Sequence, residues 1–274
     1  MLDRWMALGL AAALAACGAE TEEKKSDKAG GTPETAALAR LEGADATDPD
    51  KLAELAKAID LEEVTGFEET ARHRGTSDAA AVWVLYPRGT LLTGDIGEFR
   101  IDVGEEFETP GKLEFRRGTK VLYSAAFDPE ELITRATIPD AVRESVTAKA
   151  GVVTWGFYPD KGKAITAKFT VKKRDSSLDR RLASLEKRLV GQPPVVQTQL
   201  RAQLLLNKKY YYAAWKAAAA AAEEAESAPQ AVAIMQAALG RMKLNKTPLW
   251  AEAQALADAV PQRLRDRTQS RKLR

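Results

Sequence analysis

The spacing of apolar residues switches period between the middle and the C-terminal part of this chain, and that switch limits what the chain can fold into. Between Ala79 and Lys173 apolar residues recur at every second position, or in short runs broken by turn residues. From Ser177 onward they recur every three or four positions. A period of two places side chains on alternate faces of a strand. A period near 3.6 stacks them on one face of a helix. The predicted class is therefore multidomain α+β, with an all-β sandwich over 75–175 followed by an all-α region of helical hairpins over 176–262.

Residues 81–87 predict a strand ended by Pro87 and Gly89, and residues 97–103 predict a second with Phe99, Ile101 and Val103 on one face. Residues 112–127 read as two strands around Arg117-Gly118, and 131–138 as another stopped by Pro139. The last two strands, 151–159 and 163–173, flank the turn Asp160-Lys161-Gly162. In the final strand Ile165, Ala167, Phe169 and Val171 share one face, with Thr166, Lys168, Thr170 and Lys172 opposite. The opening Leu85-Tyr86-Pro87-Arg88-Gly89 resembles the immunoglobulin-like or fibronectin type III-like modules of bacterial envelope proteins. So does the closing pair, Val153-Thr154-Trp155-Gly156-Phe157 with Lys168-Phe169-Thr170-Val171. The resemblance implies a two-sheet sandwich. Trp83 and Trp155 are expected to pack in or beside its core.

Leu178, Leu182, Leu185 and Leu189 form a helical seam ended by Gly191 and Pro193-Pro194. Helical segments follow over 195–206, 210–227, 230–244 and 248–260, with a break at Asn207-Lys208-Lys209. Tyr210, Ala213, Ala217 and Ala220 resemble the small-residue face of tetratricopeptide-type hairpins. Leu249, Trp250, Ala253, Ala257 and Val260 repeat it. Such hairpins imply a groove for protein partners. The candidate partner-binding residues are Tyr210, Tyr211, Trp215 and Trp250. Tyr210-Tyr211-Tyr212 are read as packing rather than as a nucleic-acid stack, because three successive helical residues point about 100° apart.

At the other end, residues 5–16 are unbroken apolar residues and Gly behind Arg4. The run suits a signal peptide (1–16) and is too short to span about 30 Å of hydrocarbon. Leu14-Ala15-Ala16-Cys17 resembles the lipobox of bacterial lipoproteins. That resemblance implies cleavage between Ala16 and Cys17, diacylglycerol on the Cys17 thiol and an N-acyl lipid on its amine. With Gly18 following, it implies anchoring in the cell envelope at the outer membrane. Residues 17–50 are then a lipidated Cys and a disordered tether, since 18–50 hold no aromatic residue, Val or Ile. Residues 51–74 are a short helix and linker. Leu52, Leu55, Ala56, Ile59 and Val64 lie on the helix's buried face, and Asp50 is its cap.

Charge follows the same divisions. Residues 17–74 carry net −7, 75–175 zero and 176–274 net +9. The tail 263–274 is basic and suits anionic phospholipid or an anionic wall polymer. One Cys excludes a disulfide or multi-Cys metal site within these 274 residues, and His73 is the one His. The clusters Glu105-Glu106-Glu108 and Glu130-Glu131 read as solvated turns. No nucleophile-elbow, zinc-protease, phosphate-loop or dinucleotide motif is present. The expectation is a non-enzymatic binding or scaffold lipoprotein without metal, cofactor or nucleic acid. It would have envelope-protein partners; an envelope-sensing regulatory subunit is the alternative.

Overall fold

The computed structural model describes residues 38–62, 64, 82–104, 107–127, 136–173, 175–224, 228–245 and 247–260. The signal peptide, Cys17, His73, Glu105, Glu106, Glu130, Glu131 and the basic tail lie outside them.

Among the described residues eight strands form two sheets. They are β1 (Val82–Tyr86), β2 (Gly89–Leu92), β3 (Glu98–Val103), β4 (Gly111–Arg117), β5 (Lys120–Phe127), β6 (Ala136–Thr137), β7 (Gly151–Pro159) and β8 (Ile165–Lys172). One sheet has the order β1-β3-β6 and the other β2-β8-β7-β4-β5. All pairings are antiparallel except β2 with β8, which is parallel from Gly89 beside Phe169 to Leu92 beside Lys172.

The inward faces meet around Trp155, which is fully buried. Its ring stacks on Phe115 at 5.3 Å and meets Phe99 of the opposite sheet edge-on at 6.0 Å. Its indole N–H donates to the Pro87 carbonyl at 2.8 Å. Gly156, next to it, has φ +147°, and a Cβ there would stand 2.3 Å from the Ile165 carbonyl oxygen. The strand pair therefore requires glycine at this point.

Among the described residues seven helices accompany the strands: α1 (Pro49–Ala58), α2 (Asp140–Thr147), α3 (Ser176–Arg188), α4 (Pro194–Asn207), α5 (Tyr211–Glu224), α6 (Pro229–Arg241) and α7 (Pro248–Ala259). Helices α4, α6 and α7 begin with Pro in their first turn, where the missing N–H leaves no bond unmade. Lys209, at φ +65°, turns the chain between α4 and α5 where a break was expected.

The fold is mixed α+β, and several expectations change. The helices do not simply follow the strands. Helix α1 precedes them, α2 lies between β6 and β7, and one continuous core includes Trp155, Leu52, Ala218 and Leu239. Strand β2 was not expected. The chain does stop at Pro87, but it resumes at once on the other sheet, with Leu91 fully buried. Helix α2 was also missed, because Val142 and Val146 are its only buried residues and two positions make a faint periodic signal. Of the strand expected over 131–138, Ala136 and Thr137 are paired, residue 138 follows, and 131–135 lie outside the described residues.

Residues 38–50, expected within a disordered tether, instead carry a 3-10 turn (Gly43–Ala46), with Leu41 and Ala46 buried. Two small apolar contacts and backbone hydrogen bonds to Gln192 and Gln199 hold a segment whose composition alone would not fold. The cap of α1 is Asp48 rather than Asp50: Asp48 Oδ1 accepts from the N–H groups of Asp50 at 2.8 Å and Lys51 at 3.4 Å.

Candidate interaction surfaces

The outward face of the three-stranded sheet is covered by the C-terminal helices. Tyr86 of β1 lies 5.5 Å from Tyr212 and 5.2 Å from Trp215, both of α5. Tyr211 lies along Gly89 at the start of β2. The sheet thus has protein on both sides, which explains the unbroken apolar run Val-Trp-Val-Leu-Tyr of β1. A strand buried on both faces has no solvent side to make polar.

Polar ties cross the same seam. Arg100 of β3 is buried and makes a two-pronged bond to Asp102 at 2.7 and 2.8 Å. It also reaches Glu252 of α7, at 2.7 Å from Nη2 and 3.3 Å from Nη1. Burial opposes its charge, but hydrogen bonds to the two carboxylates outweigh that and raise its pKa above the ordinary value. Arg88 has carbonyl partners instead. Its Nε donates to Val84 and Leu85, its Nη2 to Val84 at 2.5 Å, and its Nη1 to Met242 at 3.3 Å. Met242 caps the C-terminus of α6, where a cation is favoured. Burial lowers the Arg88 pKa to about 10, so the group stays charged at neutral pH.

At the far end of β8, the Tyr210 hydroxyl donates to Asp175 Oδ2, and Lys172 Nζ lies 3.3 Å from both Asp175 Oδ2 and the Tyr210 hydroxyl. Asp175 also caps α3 by accepting from Ser177 and Leu178. The Tyr210 hydroxyl first, then the Leu178 N–H and the Lys172 ammonium, hold its carboxyl down to about 2.

These contacts locate the four aromatic residues picked from sequence. Tyr210 is 2% exposed and serves as an internal strut. Tyr211 and Trp215 are half-buried in the seam. Trp250 is half-buried on α7 against the core. Three of the four therefore join sheet to helices, and the structure does not gather all four into one outward surface. The alanine face of α5 is also shifted. Tyr212, Ala214, Ala218, Ala221 and Ala222 are buried, while Ala220 is exposed and Ala213 and Ala217 are half-buried. A run of alanines has no hydrophobic phase of its own, so the bulky Tyr212 sets which side faces inward.

The groove expected among the hairpins is occupied by the chain itself. Helix α1 packs on α4 and α6 through Leu52, Leu55 and Ala56. A file of amides on α4 binds the same segment by its backbone. Gln199 donates to the Ala46 carbonyl at 3.4 Å, Gln203 to Glu62 at 2.7 Å and Asn207 to Glu62 at 2.9 Å. Just ahead of α4, Gln192 accepts from the Leu41 N–H at 3.0 Å and donates to the Ala39 carbonyl at 2.8 Å. The spacing of four between Gln199, Gln203 and Asn207 was a legible signal: three amides on one helix face read as a row of backbone clasps.

Across β4, β7 and β8 the outward face of the five-stranded sheet is open, while Leu92 on the β2 edge packs on the helices. Arg116, Thr154 and Lys168 lie side by side across β4, β7 and β8, and Glu114, Gly156 and Thr166 form the next row. The Arg116 guanidinium lies 4.1 Å above the Tyr158 ring and 2.5 Å from Glu114, which also accepts from Ser124 at 3.3 Å. Among the described residues no group of three or more His, Cys, Asp or Glu is placed to hold a metal ion. Among them also, no helix is long and apolar enough to cross a membrane. Comparison with protein-family models, curated proteins and solved structures returns no match.

Proposed function

We propose that this chain is a lipid-anchored protein of the bacterial cell envelope that acts as a non-enzymatic binding or scaffold module. The observation that carries the proposal is Leu14-Ala15-Ala16-Cys17 closing an apolar run behind Arg4. Cys17 would carry diacylglycerol and an N-acyl chain after cleavage at Ala16-Cys17, and two or more acyl chains give stable attachment.

The finer fold belongs to the same proposal. The strand order supports an immunoglobulin-like sandwich: β1, β3 and β6 correspond to its first sheet, and β8, β7, β4 and β5 to its second. Helices α4 to α7 pack in sequence order, which agrees with successive hairpins. Partners would be envelope proteins met at free sheet edges and helix surfaces, with anionic phospholipid or wall polymer at the 263–274 tail.

A second role, as an envelope-sensing regulatory subunit, draws support from one feature. Arg88 and Arg100 tie the sheets to α6 and α7, so an event on one is felt by the other.

The test is to express the full chain and Cys17→Ala in a bacterium fed an alkyne fatty acid. Wild type takes up the label and sediments with membranes, while Cys17→Ala stays unlabelled and soluble. Equal membrane recovery of an unlabelled wild type overturns the proposal.

A further inference from the structure

Residues 75–175 carry equal numbers of acids and bases, but the two signs are not mixed on the open sheet face. That face presents Lys112, Arg116, Lys168 and Lys172. Its one carboxylate on β4, β7 and β8 is Glu114, which is 7% exposed and already engaged by Arg116 and Ser124. Lys172 is held by Asp175. Lys112 and Lys168 are exposed and make no ion pair among the described residues.

Arg116 differs from an ordinary surface cation. Its Nε and Nη2 are fixed on Glu114 and its plane lies over Tyr158, while Nη1 makes no hydrogen bond among the described residues. The guanidinium is thus oriented before any ligand arrives, which reduces the entropy lost on binding. Between the cations lie the hydroxyls of Thr154, Thr166 and Thr170, with Gly156 adding no side chain above the sheet. Strands about 4.8 Å apart set Arg116 and Lys168 roughly 10 Å from each other.

We propose that this face binds an anionic polysaccharide. Its acid groups sit on Lys112, Arg116 and Lys168, and its sugar hydroxyls bond to Thr154, Thr166 and Thr170. The composition argues against other occupants. A nucleic acid needs free aromatic faces for its bases, and Arg116 covers that of Tyr158. A membrane needs long apolar side chains to insert, and among the described residues of β4, β5, β7 and β8 this face exposes Val152 and Val121. A protein partner needs an apolar core to the contact, which this face lacks. The inference rests on reading the chain as a binding module and does not require the lipid.

The experiment measures binding of polygalacturonate to the purified full chain at several salt concentrations, with neutral dextran, single-stranded DNA and phosphatidylglycerol vesicles in parallel. Wild type is expected to bind polygalacturonate, more weakly as salt rises, and to ignore dextran. Lys112→Gln with Lys168→Gln should weaken binding about tenfold. The charge-matched pair Lys57→Gln with Lys187→Gln, on α1 and α3, should change it less than about twofold. Arg116→Lys, which keeps the charge but loses the planar fork, should weaken binding with the fold intact by circular dichroism. Equal loss in both double variants, no binding by wild type, or tighter binding of DNA or vesicles through the same lysines overturns the proposal. Cys17→Ala should bind polygalacturonate as wild type does, so failure of the anchor and failure of the face are separable.

Discussion

At the scale of single residues, two positions hold the layers together. Trp155 fills the space between the sheets and bonds to the Pro87 carbonyl just where the chain crosses from one sheet to the other. Trp155→Ala is expected to lose about 3–5 kcal/mol, measured by urea unfolding. Arg100 is the second. Asp102 is buried beside it, whereas Glu252 is about half exposed. Asp102→Ala leaves a buried guanidinium short of its partner and should lose about 3–5 kcal/mol. Glu252→Ala should lose less than about 1 kcal/mol, because water replaces an exposed carboxylate. Equal losses would contradict this ranking.

Acid sensitivity belongs to the same scale. The folded-state pKa of Asp175 lies at about 2, below the usual carboxylate value near 4. Its contribution is complete above the unfolded pKa and fades as pH falls from about 4 toward 2. Asp175→Asn should therefore lose less stability than wild type over that interval, read from urea midpoints at successive pH values.

At the scale of elements, the N-terminal strap is the instructive case. Helix α1 buries Leu52, Leu55 and Ala56 on α4 and α6, and the α4 amides clasp the backbone on either side of it. Leu52→Ala should destabilise the chain by about 2–5 kcal/mol. Hydrogen exchange should speed in α4 and α6 as well as in α1; exchange confined to α1 would mean the strap is an appendage.

Much of this level was legible from the residues. Alternation placed β3, β4, β5, β7 and β8 to within about two residues, and prolines with Asn207–Lys209 marked where α4 to α7 begin and end. What escaped had weak local signals. Strand β2 is four residues long and stabilised by pairing with β8, each residue with one 80 positions further on. Residues 38–50 are ordered by Gln192 and Gln199, far along the chain. The phase of α5 depends on what Tyr212 meets across the seam. The interaction surfaces were the least legible. Tyr210, Tyr211, Trp215 and Trp250 suggested a partner-binding site, while the unbroken apolar run of β1 already implied that helices would cover that strand.

At the scale of the whole molecule, the described residues form layers: the five-stranded sheet, the three-stranded sheet, and the C-terminal helices on its outward side. The helices bury the three-stranded sheet, and the N-terminal strap occupies the helices' own groove. The outward face of the five-stranded sheet is left open across β4, β7 and β8, and its cations stand apart from the acids of the same segment. A β region and a helical region joined only by sequence would behave as two domains, whereas the shared core makes them one cooperative unit.

Equilibrium unfolding of the full chain in urea tests that claim most directly, followed by tryptophan fluorescence and by far-ultraviolet circular dichroism. Trp155 reports on the sheets, Trp215 on the seam, and the helices dominate the dichroism. One transition with coincident midpoints is the result expected of a layered unit. Two separated transitions, with fluorescence lost while helix persists, would contradict it.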